Sequence, residues 1–371
     1  MTKVGRRRFI AGAGVAGAGA LAASLPAPAI AQAQPELKWR LASSFPKSLD
    51  TIYGGAEDIA AYVAAMTDGK FQIRAFAAGE IVPAFQVLDA VQKGTVELGH
   101  SASYYYVGKD PTFALGTSIC FGMNSRQNNA WWYTGGGKEA MAPLFSEYGC
   151  VALLAGNTGC QMGGWFRKEI KSVADLKGLK FRIGGMAGLV LAKLGVVAQQ
   201  LGAPDIYPAL EKGTIDAAEW VGPYDDEKLG FNKVAQYYYT PGFWEGGPML
   251  LTLVNEKKWN ELPKAYQAAL QAACGEVNSW MPAKYDEVNP PALRRMIAGG
   301  TKLRRFSDPV LQAAEKAAYE LYDELKAKSK HWATVYPQWK KFRDEQFQWF
   351  QVAELTNDTY TFRSKIGAGR N

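Results

Sequence analysis

The sequence predicts an α/β fold of two similar lobes that are joined by hinge strands and followed by a long C-terminal helix. Three observations predict this fold. Apolar runs with strand periodicity alternate with segments of helical periodicity along most of the chain. The motif KGTVE at 93–97 is echoed as KGTID at 212–216. Two apolar runs, 151–154 and 249–254, lie where the chain would cross between the lobes.

The first lobe begins as consecutive strand–helix–strand units. Strand-type runs cover residues 38–44, 71–76 and 96–99, and helical periodicity covers 52–66 and 85–92. Parallel neighbouring strands need a crossing segment between them, and these helices supply it.

The two copies of the echo predict where a ligand would bind. In each copy a helical pattern ends at a glycine, which favours a helix C-terminus, and a short apolar strand follows. The strands lead to tips at 101–105 and 219–224. Ligands of open α/β sheets bind beyond the carboxyl ends of strands, so we expect both tips to face one cleft. Chance, or a common helix-to-strand turn, would also explain so short a match.

These patterns divide the chain after its leader into three parts. We assign 36–150, together with about 248–300, to lobe I, and 151–247 to lobe II. Residues 308–360 form the predicted C-terminal helix, with a break at Pro337. Its aromatic residues are too many for one surface helix to bury. We expect its first half to pack on the body and its second half to form a homodimer contact.

Residues 1–33 are predicted to be an export signal. Arg6 and Arg7 precede Phe9 and Ile10 in a twin-arginine pattern, and a glycine-rich apolar stretch with small-residue cleavage sites follows. A membrane anchor is the alternative, but the stretch is short for a span. The sequence therefore predicts a periplasmic protein that is exported by the twin-arginine route.

Composition argues against several classes of function. The net charge is +7, but four of the positive charges lie in the leader, and the remainder is too small to indicate nucleic acid. The two histidines, His100 and His331, poorly supply a zinc site or a catalytic triad. Among four cysteines, Cys150 and Cys160 are the pair closest in sequence. A disulfide between them and free buried thiols are both open.

The most informative local feature is Glu219 followed by Trp220 at the end of an apolar strand. A carboxylate beside an indole loses water, so it needs a cation or its pKa must rise. Arg182 also lies at a strand end, before a glycine turn. Its guanidinium suits a substrate carboxylate held by two hydrogen bonds, and pairing with an acid of the protein itself is equally open.

Glu245 and Gln161 would complete an oxygen-rich site. Two carboxylates, an amide oxygen and a backbone carbonyl suit Na⁺ or Ca²⁺. The alternative, which spacing alone slightly favours, is that each glutamate is solvated or paired separately. A second acidic set at 225–227 is interpreted as a solvated loop or a helix start.

Three segments carry a resemblance to a known family, GLKFR at 178–182, YPALEKGTIDAAEW at 207–220 and WEGGP at 244–248. On these segments, and over nearly all of its part after the leader, the chain resembles the DctP family, the solute-binding subunits of TRAP (tripartite ATP-independent periplasmic) transporters. Segments 40–47 and 157–165 resemble the 2-oxo-acid (pyruvate-type) subgroup. The resemblance implies a two-lobed periplasmic-binding-protein fold that closes on its ligand.

The resemblance also implies roles for individual residues. Arg182 would pair with the substrate carboxylate, and Tyr105 or Tyr104 would donate a hydrogen bond to the ligand. Asn157 would be a further substrate contact. The residues around the cation would be Gln161, which also contacts substrate, Glu219, Trp220 through its backbone, and Glu245.

The predicted function is therefore a periplasmic receptor, not an enzyme. It would bind a small 2-oxo monocarboxylate such as pyruvate with a cation and deliver it to TRAP membrane permease subunits. The resemblance implies a domain-swapped homodimer through the C-terminal helix, and it favours sodium. A count of charges favours calcium, but we prefer sodium because nearby lysines and helix N-termini could supply the missing positive charge.

Three alternatives remain open from the sequence. The first is a receptor for lactate or another 2-hydroxy acid with calcium. The second is a metal-assisted enzyme on 2-oxo acids with Glu219 or Glu245 as base, although no cofactor motif supports it. The third is an amino-acid receptor of the ABC type, which would not depend on a cation.

Overall fold

The computed structural model describes residues 34–364. The predicted signal peptide and its twin-arginine motif lie outside the described residues. No helix within 34–364 is both long enough and apolar enough to cross a bilayer.

The described chain contains strands and helices in alternation. The strands are β1 Leu37–Ser43, β2 Phe71–Phe76, β3 Leu98–Ser101, β4 Cys150–Asn157, β5 Trp165–Phe166, β6 Lys180–Arg182, β7 Val197–Gln199, β8 Ala217–Ala218, β9 Tyr237–Thr240, β10 Met249–Asn255 and β11 Lys302–Arg305. The α-helices are α1 Gly54–Met66, α2 Val87–Gln92, α3 Ser125–Tyr133, α4 Gly137–Glu147, α5 Gly185–Ala192, α6 Ala203–Glu211, α7 Pro223–Leu229, α8 Glu256–Glu261, α9 Lys264–Ala298, α10 Asp308–Lys328, α11 Lys330–Val352 and α12 Glu354–Arg363. Short 3₁₀ helices cover Ala84–Gln86, Ser103–Tyr106, Pro111–Gly116, Val173–Leu176 and Phe231–Lys233.

The strands form two sheets, and the α/β fold class is confirmed. The first sheet has the order β2-β1-β3-β10-β4, and the second has the order β11-β9-β5-β8-β6-β7. Strands β1, β2 and β3 pair in parallel, whereas β10 is antiparallel to both β3 and β4. The chain leaves the first sheet after β4 and returns to it at β10, so the two predicted hinge runs lie side by side.

The strands of each sheet come mostly from one of the two predicted lobes. The first sheet takes its strands from 37–101, 150–157 and 249–255, and the second takes its strands from 165–240 and 302–305. Helix α9 packs on α1 and β4 of the first group and on α7 of the second. It therefore ties both sheets together. The exact lobe boundaries, 36–150 with 248–300 and 151–247, stay predictions.

The echoed motifs adopt the same local structure. Gly94 follows α2 with φ of 70°, and Gly213 follows α6 with φ of 71°. That left-handed conformation favours glycine and ends each helix. The acid that closes each motif accepts a backbone N–H from the neighbouring parallel strand, Glu97 from β1 at 2.8 Å and Asp216 from β6 at 3.0 Å. The motif is therefore one helix-to-strand turn used once in each sheet.

The C-terminal helical segment is confirmed, but it consists of three consecutive helices. The predicted break at Pro337 is wrong, because this residue lies inside α11. The chain breaks instead at Ser329, whose hydroxyl accepts the Trp332 N–H at 3.0 Å and donates to Asp110 at 2.9 Å. A proline inside a helix removes one backbone hydrogen bond, whereas a serine cap starts a new helix.

The two halves of this segment differ in burial. Trp332, Tyr336 and Trp339 are buried against the body. Trp349 is 59% exposed and Tyr360 is 74% exposed. The segment thus buries its first half and presents apolar side chains at its end.

Candidate functional site

The candidate site is built where β6 and β8 end side by side. These strands pair in parallel with Arg182 opposite Ala218, so Arg182 and Glu219 meet at one edge of the second sheet. The Arg182 Nη1 donates to the Glu219 Oε2 at 3.0 Å and also to the Glu219 carbonyl oxygen. The Arg182 Nε donates to the Leu201 carbonyl oxygen at 3.0 Å. The Arg182 Nη2 is buried and has no partner among the described residues.

Glu245 and Gln161 come to this edge from two loops. Gln161 follows β4, and Glu245 precedes β10. The Gln161 N–H donates to the Glu245 carbonyl oxygen at 3.0 Å, which holds the two loops together. The Gln161 Nε2 donates to the Thr158 Oγ1 at 3.0 Å, so the amide oxygen Oε1 faces away from this bond.

Four buried oxygens of this cluster meet no donor with hydrogen-bond geometry in the described part of the chain. They are Gln161 Oε1, Glu219 Oε1, Glu245 Oε1 and Glu245 Oε2. All three residues are at most 4% exposed. A buried polar atom without a partner is costly, so such a group points to a binding partner outside the protein chain.

The electrostatics of the cluster agree with this interpretation. Burial raises the pKa of Glu219 to about 7, although Arg182 opposes the shift. Burial and then the charge of Glu219 raise the pKa of Glu245 well above its ordinary value, and the charge of Arg182 offsets part of this effect. The two glutamates therefore lie in one cluster. The alternative of solvated glutamates is wrong, because both are buried, whereas the alternative of pairing within the protein holds for Glu219, which is paired with Arg182.

The donor set fits a hard cation. Carboxylate and amide oxygens are the ligands that Na⁺ and Ca²⁺ take in proteins. The Trp220 carbonyl oxygen accepts no hydrogen bond from residues 34–364, whereas the carbonyls on either side of it accept from Arg182 and from the Met162 N–H. No group of three or more His, Cys, Asp or Glu side chains forms a metal site among the described residues. The fit therefore depends on the mixed oxygen set.

A small cavity of about 10 Å³ adjoins the cluster, enough for about one water molecule. This volume is too small for an organic acid, so side chains around the cavity would have to move to admit one. The cavity is lined by Phe45, Ile52, Ala102, Tyr104, Tyr105, Thr117, Thr158, Gln161, Trp220, Val221, Pro248 and Leu250. Both predicted tyrosines and Trp220 are thus brought to the site. Most of the wall is apolar, which suits an uncharged substrate tail.

Aromatic rings close the cavity from both sides. The rings of Tyr104 and Tyr105 stack at 5.0 Å, and those of Phe45 and Trp220 meet edge to face at 6.5 Å. The Arg182 guanidinium lies 5.0 Å from the centre of the Trp220 ring. A cation over an indole face is attracted to it, so Trp220 helps to hold the guanidinium in place.

Tyr104 reaches the Arg182 strand through a gap that only glycine leaves. Gly185 has φ of 59°, and a Cβ there would lie 2.0 Å from the Tyr104 ring. The glycine turn after Arg182 therefore lets the tip of one sheet lie directly on the tip of the other.

Asn157 supports the loop that carries Gln161. Its Nδ2 donates to the Gly247 carbonyl oxygen at 3.0 Å, and its Oδ1 accepts the Gly159 N–H at 2.8 Å. These two bonds favour a supporting role, and Asn157 is not among the residues that line the cavity. Direct contact between Asn157 and substrate stays a prediction.

The interpretation of residues 225–227 as a solvated loop is wrong, although α7 does start there. Asp225 and Asp226 are buried. Asp226 accepts hydrogen bonds from Trp165 at 2.9 Å and Tyr238 at 2.7 Å, and Asp225 accepts one from Tyr285 at 2.8 Å. Donors that come from distant strands and helices keep both carboxylates out of water.

The four cysteines are free. Cys150 is buried in β4, and Cys160 is exposed in the loop before Gln161. The disulfide is therefore not formed, and the alternative of free buried thiols holds for Cys150 but not for Cys160.

Comparison with protein families decides what kind of protein carries this site. The model of the bacterial extracellular solute-binding proteins of family 7, DctP, matches residues 42–329. The chain belongs to this family. DctP proteins are the solute-binding proteins of TRAP transporters, so the protein is a transport receptor and not an enzyme.

Individual DctP proteins are similar over most of their length. The monocarboxylate 2-oxoacid-binding periplasmic protein all3028 of Nostoc is 52% identical over 331 residues, 89% of this chain and 91% of the relative. A TRAP solute-binding protein of Bordetella bronchiseptica, with calcium and picolinate in a mixed-occupancy dimer, is 55% identical with a TM-score of 0.87, covering 88% of this chain and 98% of that one. A TRAP protein of Pseudoalteromonas atlantica with bound sodium and pyruvate is 37% identical with a TM-score of 0.85, covering 89% and 100%.

Sequence reasoning missed the apolar wall of this DctP site. Phe45, Ile52, Ala102 and Leu250 line the cavity and come from three separate parts of the chain. An apolar residue that faces a cleft has the same sequence signal as one that faces the core, so no pattern could have separated them.

Proposed function

We propose that the protein is a periplasmic receptor for a small 2-oxo monocarboxylate of the pyruvate type. It binds the acid together with a cation and delivers it to the membrane permease subunits of a TRAP transporter. The observation that carries the proposal is the buried cluster in which four oxygens and one guanidinium nitrogen lack partners. A carboxylate bound together with a cation supplies both partners. The cation would coordinate the four oxygens, and the carboxylate would accept from the guanidinium. The names and ligands of the DctP relatives support the same chemistry.

The proposed roles follow from the atoms that are free. The Arg182 Nη2 would donate to the substrate carboxylate, because the Nη1 and Nε of the same guanidinium are engaged. Gln161, Glu219, Glu245 and the Trp220 carbonyl would hold the cation. The bound cation would supply positive charge to the carboxylate and to the adjacent 2-oxo oxygen. Tyr104 and Tyr105 would contact the ligand from the other sheet.

The cation we propose is calcium, with sodium as the alternative that the family resemblance favours. Glu219, Glu245 and a monoanionic substrate carry more negative charge than Arg182 balances. Within residues 34–364, the groups that shift the pKa of the two glutamates include no lysine, and they include a further acid, Asp226. The Gly184 backbone at the start of α5 lowers the pKa of Glu219, but its effect is smaller than those of burial, Arg182 and Asp226. A divalent ion therefore balances the site better than a monovalent ion.

The C-terminal end of the chain is the proposed homodimer surface. Trp349, Val352, Leu355 and Tyr360 are each at least 59% exposed on α11 and α12. Phe350 is half-buried, and the Arg126 guanidinium lies 5.2 Å from the centre of its ring. A run of exposed apolar residues at the end of a helical arm fits a second copy of the chain. Sedimentation of the protein with and without residues 349–371 tests this surface, and an unchanged mass would contradict it.

A ligand panel tests the proposed function. The melting temperature of the protein after signal removal would be measured with pyruvate, lactate, a dicarboxylate and glutamate, each with calcium, with sodium or with a chelator. Pyruvate with calcium should raise it most, since ligand at about 100 times Kd stabilises the native state by about 2.7 kcal/mol. A larger rise with lactate would favour a 2-hydroxy-acid receptor. Stabilisation by glutamate in chelator would contradict the proposal.

A further inference from the structure

The corner that carries Glu219 and Trp220 is held by a carboxylate that the ligand would not touch. Asp226 is 1% exposed and lies in the first turn of α7. Its Oδ1 accepts the Val221 N–H at 3.3 Å. Its Oδ2 accepts the Trp165 indole N–H at 2.9 Å and the Tyr238 hydroxyl at 2.7 Å. One side chain thus fixes the backbone after Trp220 to β5 and β9.

Asp226 is hydrogen-bonded to β5 and β9, and β5 pairs with β8, the strand that leads to Glu219. Trp165 lies opposite Ala218 on one side and opposite Tyr238 on the other, and the Trp165 and Tyr238 rings stack at 4.1 Å. Ala218 immediately precedes Glu219. The acid therefore anchors the strand end before the corner as well as the peptide after it.

The backbone of the corner has one carbonyl left free. The Glu219 carbonyl accepts from the Arg182 Nη1, and the Val221 carbonyl accepts the Met162 N–H at 3.0 Å. Between them, the Trp220 carbonyl has no partner in the described part of the chain. The orientation of the Trp220–Val221 peptide is set by its own N–H, and Asp226 is the acceptor of that N–H.

We propose that Asp226 is a positioning residue for the cation site, an inference that rests on the proposed function. By accepting the Val221 N–H, Asp226 turns the adjacent carbonyl of Trp220 toward the cluster and fixes the start of the Glu219 side chain. As an anion that is not itself a ligand, it also strengthens the attraction of the cluster for a divalent ion more than for a monovalent ion. Groups that orient metal ligands from outside typically change metal affinity by about 10-fold to 100-fold when removed.

The test compares two substitutions of neighbouring, equally buried carboxylate networks. Asp226→Asn removes the charge and replaces one acceptor by a donor. Tyr285→Phe removes the donor to Asp225 and leaves Asp226 intact. Each variant would be titrated with calcium and with sodium at saturating pyruvate by calorimetry, and its melting temperature would be recorded without ligand.

We expect calcium affinity to fall by about 10-fold or more in D226N and sodium affinity to fall by less. Y285F should lower the melting temperature but keep calcium affinity within about two-fold of the original. A purely structural role of Asp226 would lower the melting temperature and leave the calcium-to-sodium affinity ratio unchanged. That result would overturn the proposal.

A second variant, D226E, and the unsubstituted protein complete the test. If D226N does not fold, Asp226→Glu retains the charge but displaces it, and the proposal again expects a loss of about 10-fold in calcium affinity. Unchanged affinity in D226E would reject the positioning role. If the unsubstituted protein binds no 2-oxo acid with any cation, the proposed function fails, and that failure is separate from any difference between variants.

Discussion

Two buried acidic clusters lie only a few residues apart in this protein, and they differ in how their oxygens are partnered. Asp226 accepts three donors, and Asp225 accepts the Tyr285 hydroxyl on Oδ2, while its Oδ1 has no hydrogen bond among the described residues. Glu219 has only Arg182 on one carboxylate oxygen, and both oxygens of Glu245 lack a hydrogen bond among the described residues. Burial is the same in both clusters. The supply of donors therefore separates Asp226, whose two oxygens both have partners, from Glu245, whose two oxygens have none.

The largest effect on the binding cluster is expected from Arg182→Met. The guanidinium is the one side chain in the cluster that can neutralise a substrate carboxylate, so pyruvate affinity should fall by about 100-fold or more. Calorimetry of pyruvate binding measures it. Arg304→Met is the matched control, because Arg304 pairs with Glu169 at the surface and should leave binding unchanged. Normal affinity in R182M would show that the free Nη2 has no ligand role.

Glu245→Gln should remove most of the cation dependence and little of the ligand-free stability. Burial and the charge of Glu219 raise the pKa of Glu245 well above its ordinary value, so the cation-free protein favours the protonated form, which glutamine matches in shape and charge. Its replacement should change the free energy of unfolding by less than about 1 kcal/mol, while cation affinity falls by about 10-fold to 100-fold. A calcium titration followed by thermal melting gives both values. A large loss of stability without ligand would place Glu245 in the structural class instead.

As pH rises, ligand-free stability should fall while calcium affinity should increase. The folded pKa of Glu219, about 7, lies above its ordinary value of 4.5, so the native state holds a proton that the unfolded chain has released. Its contribution to ligand-free stability is therefore complete below about pH 4.5 and is lost as pH rises toward 7. Cation binding needs the ionised form, so calcium affinity should increase over the same range by up to about 10-fold per pH unit. Affinity that falls from pH 5 to 7 would contradict this assignment.

The smallest effect on ligand binding is expected in the structural cluster. Tyr285→Phe removes the hydroxyl that Asp225 accepts at 2.8 Å. The free energy of unfolding should fall by about 1–3 kcal/mol, because a buried acceptor loses its donor. Pyruvate affinity should stay within about two-fold of the original value. Denaturant unfolding measures the stability and calorimetry measures the pyruvate affinity of the same sample. A loss of pyruvate affinity along with the stability would contradict a purely structural role for Tyr285 and Asp225.

Much of the fold could be predicted from the sequence because its signals are local. The turns at Gly94 and Gly213 need a left-handed residue, and glycine supplies it in both sheets. The C-terminal segment was recognisable as helical, yet its break lies at Ser329 and not at Pro337. The capping partner of Ser329 is Asp110, which is 219 residues away. Local patterns do not contain such a partner.

The candidate site divides in the same way. Arg182 and Glu219 stand at strand ends, and the sequence identified both as groups that need an opposite charge. The meeting of Glu245 with Gln161 depends on a hydrogen bond between two loops. One loop precedes residues 165–240, which supply most of the second sheet, and the other follows them. The prediction that Asp225 and Asp226 are solvated failed for the same reason, since their donors come from β5, β9 and α9.

By itself the sequence determined that strands and helices alternate and that an acid lies beside an indole at a strand end, and it predicts an export signal. These properties depend on residues within one turn or one strand of each other, where spacing fixes geometry. Only the tertiary structure decided which acids keep free oxygens, because that depends on donors brought from far along the chain. The chemistry of each residue is local, but the number of its partners is not.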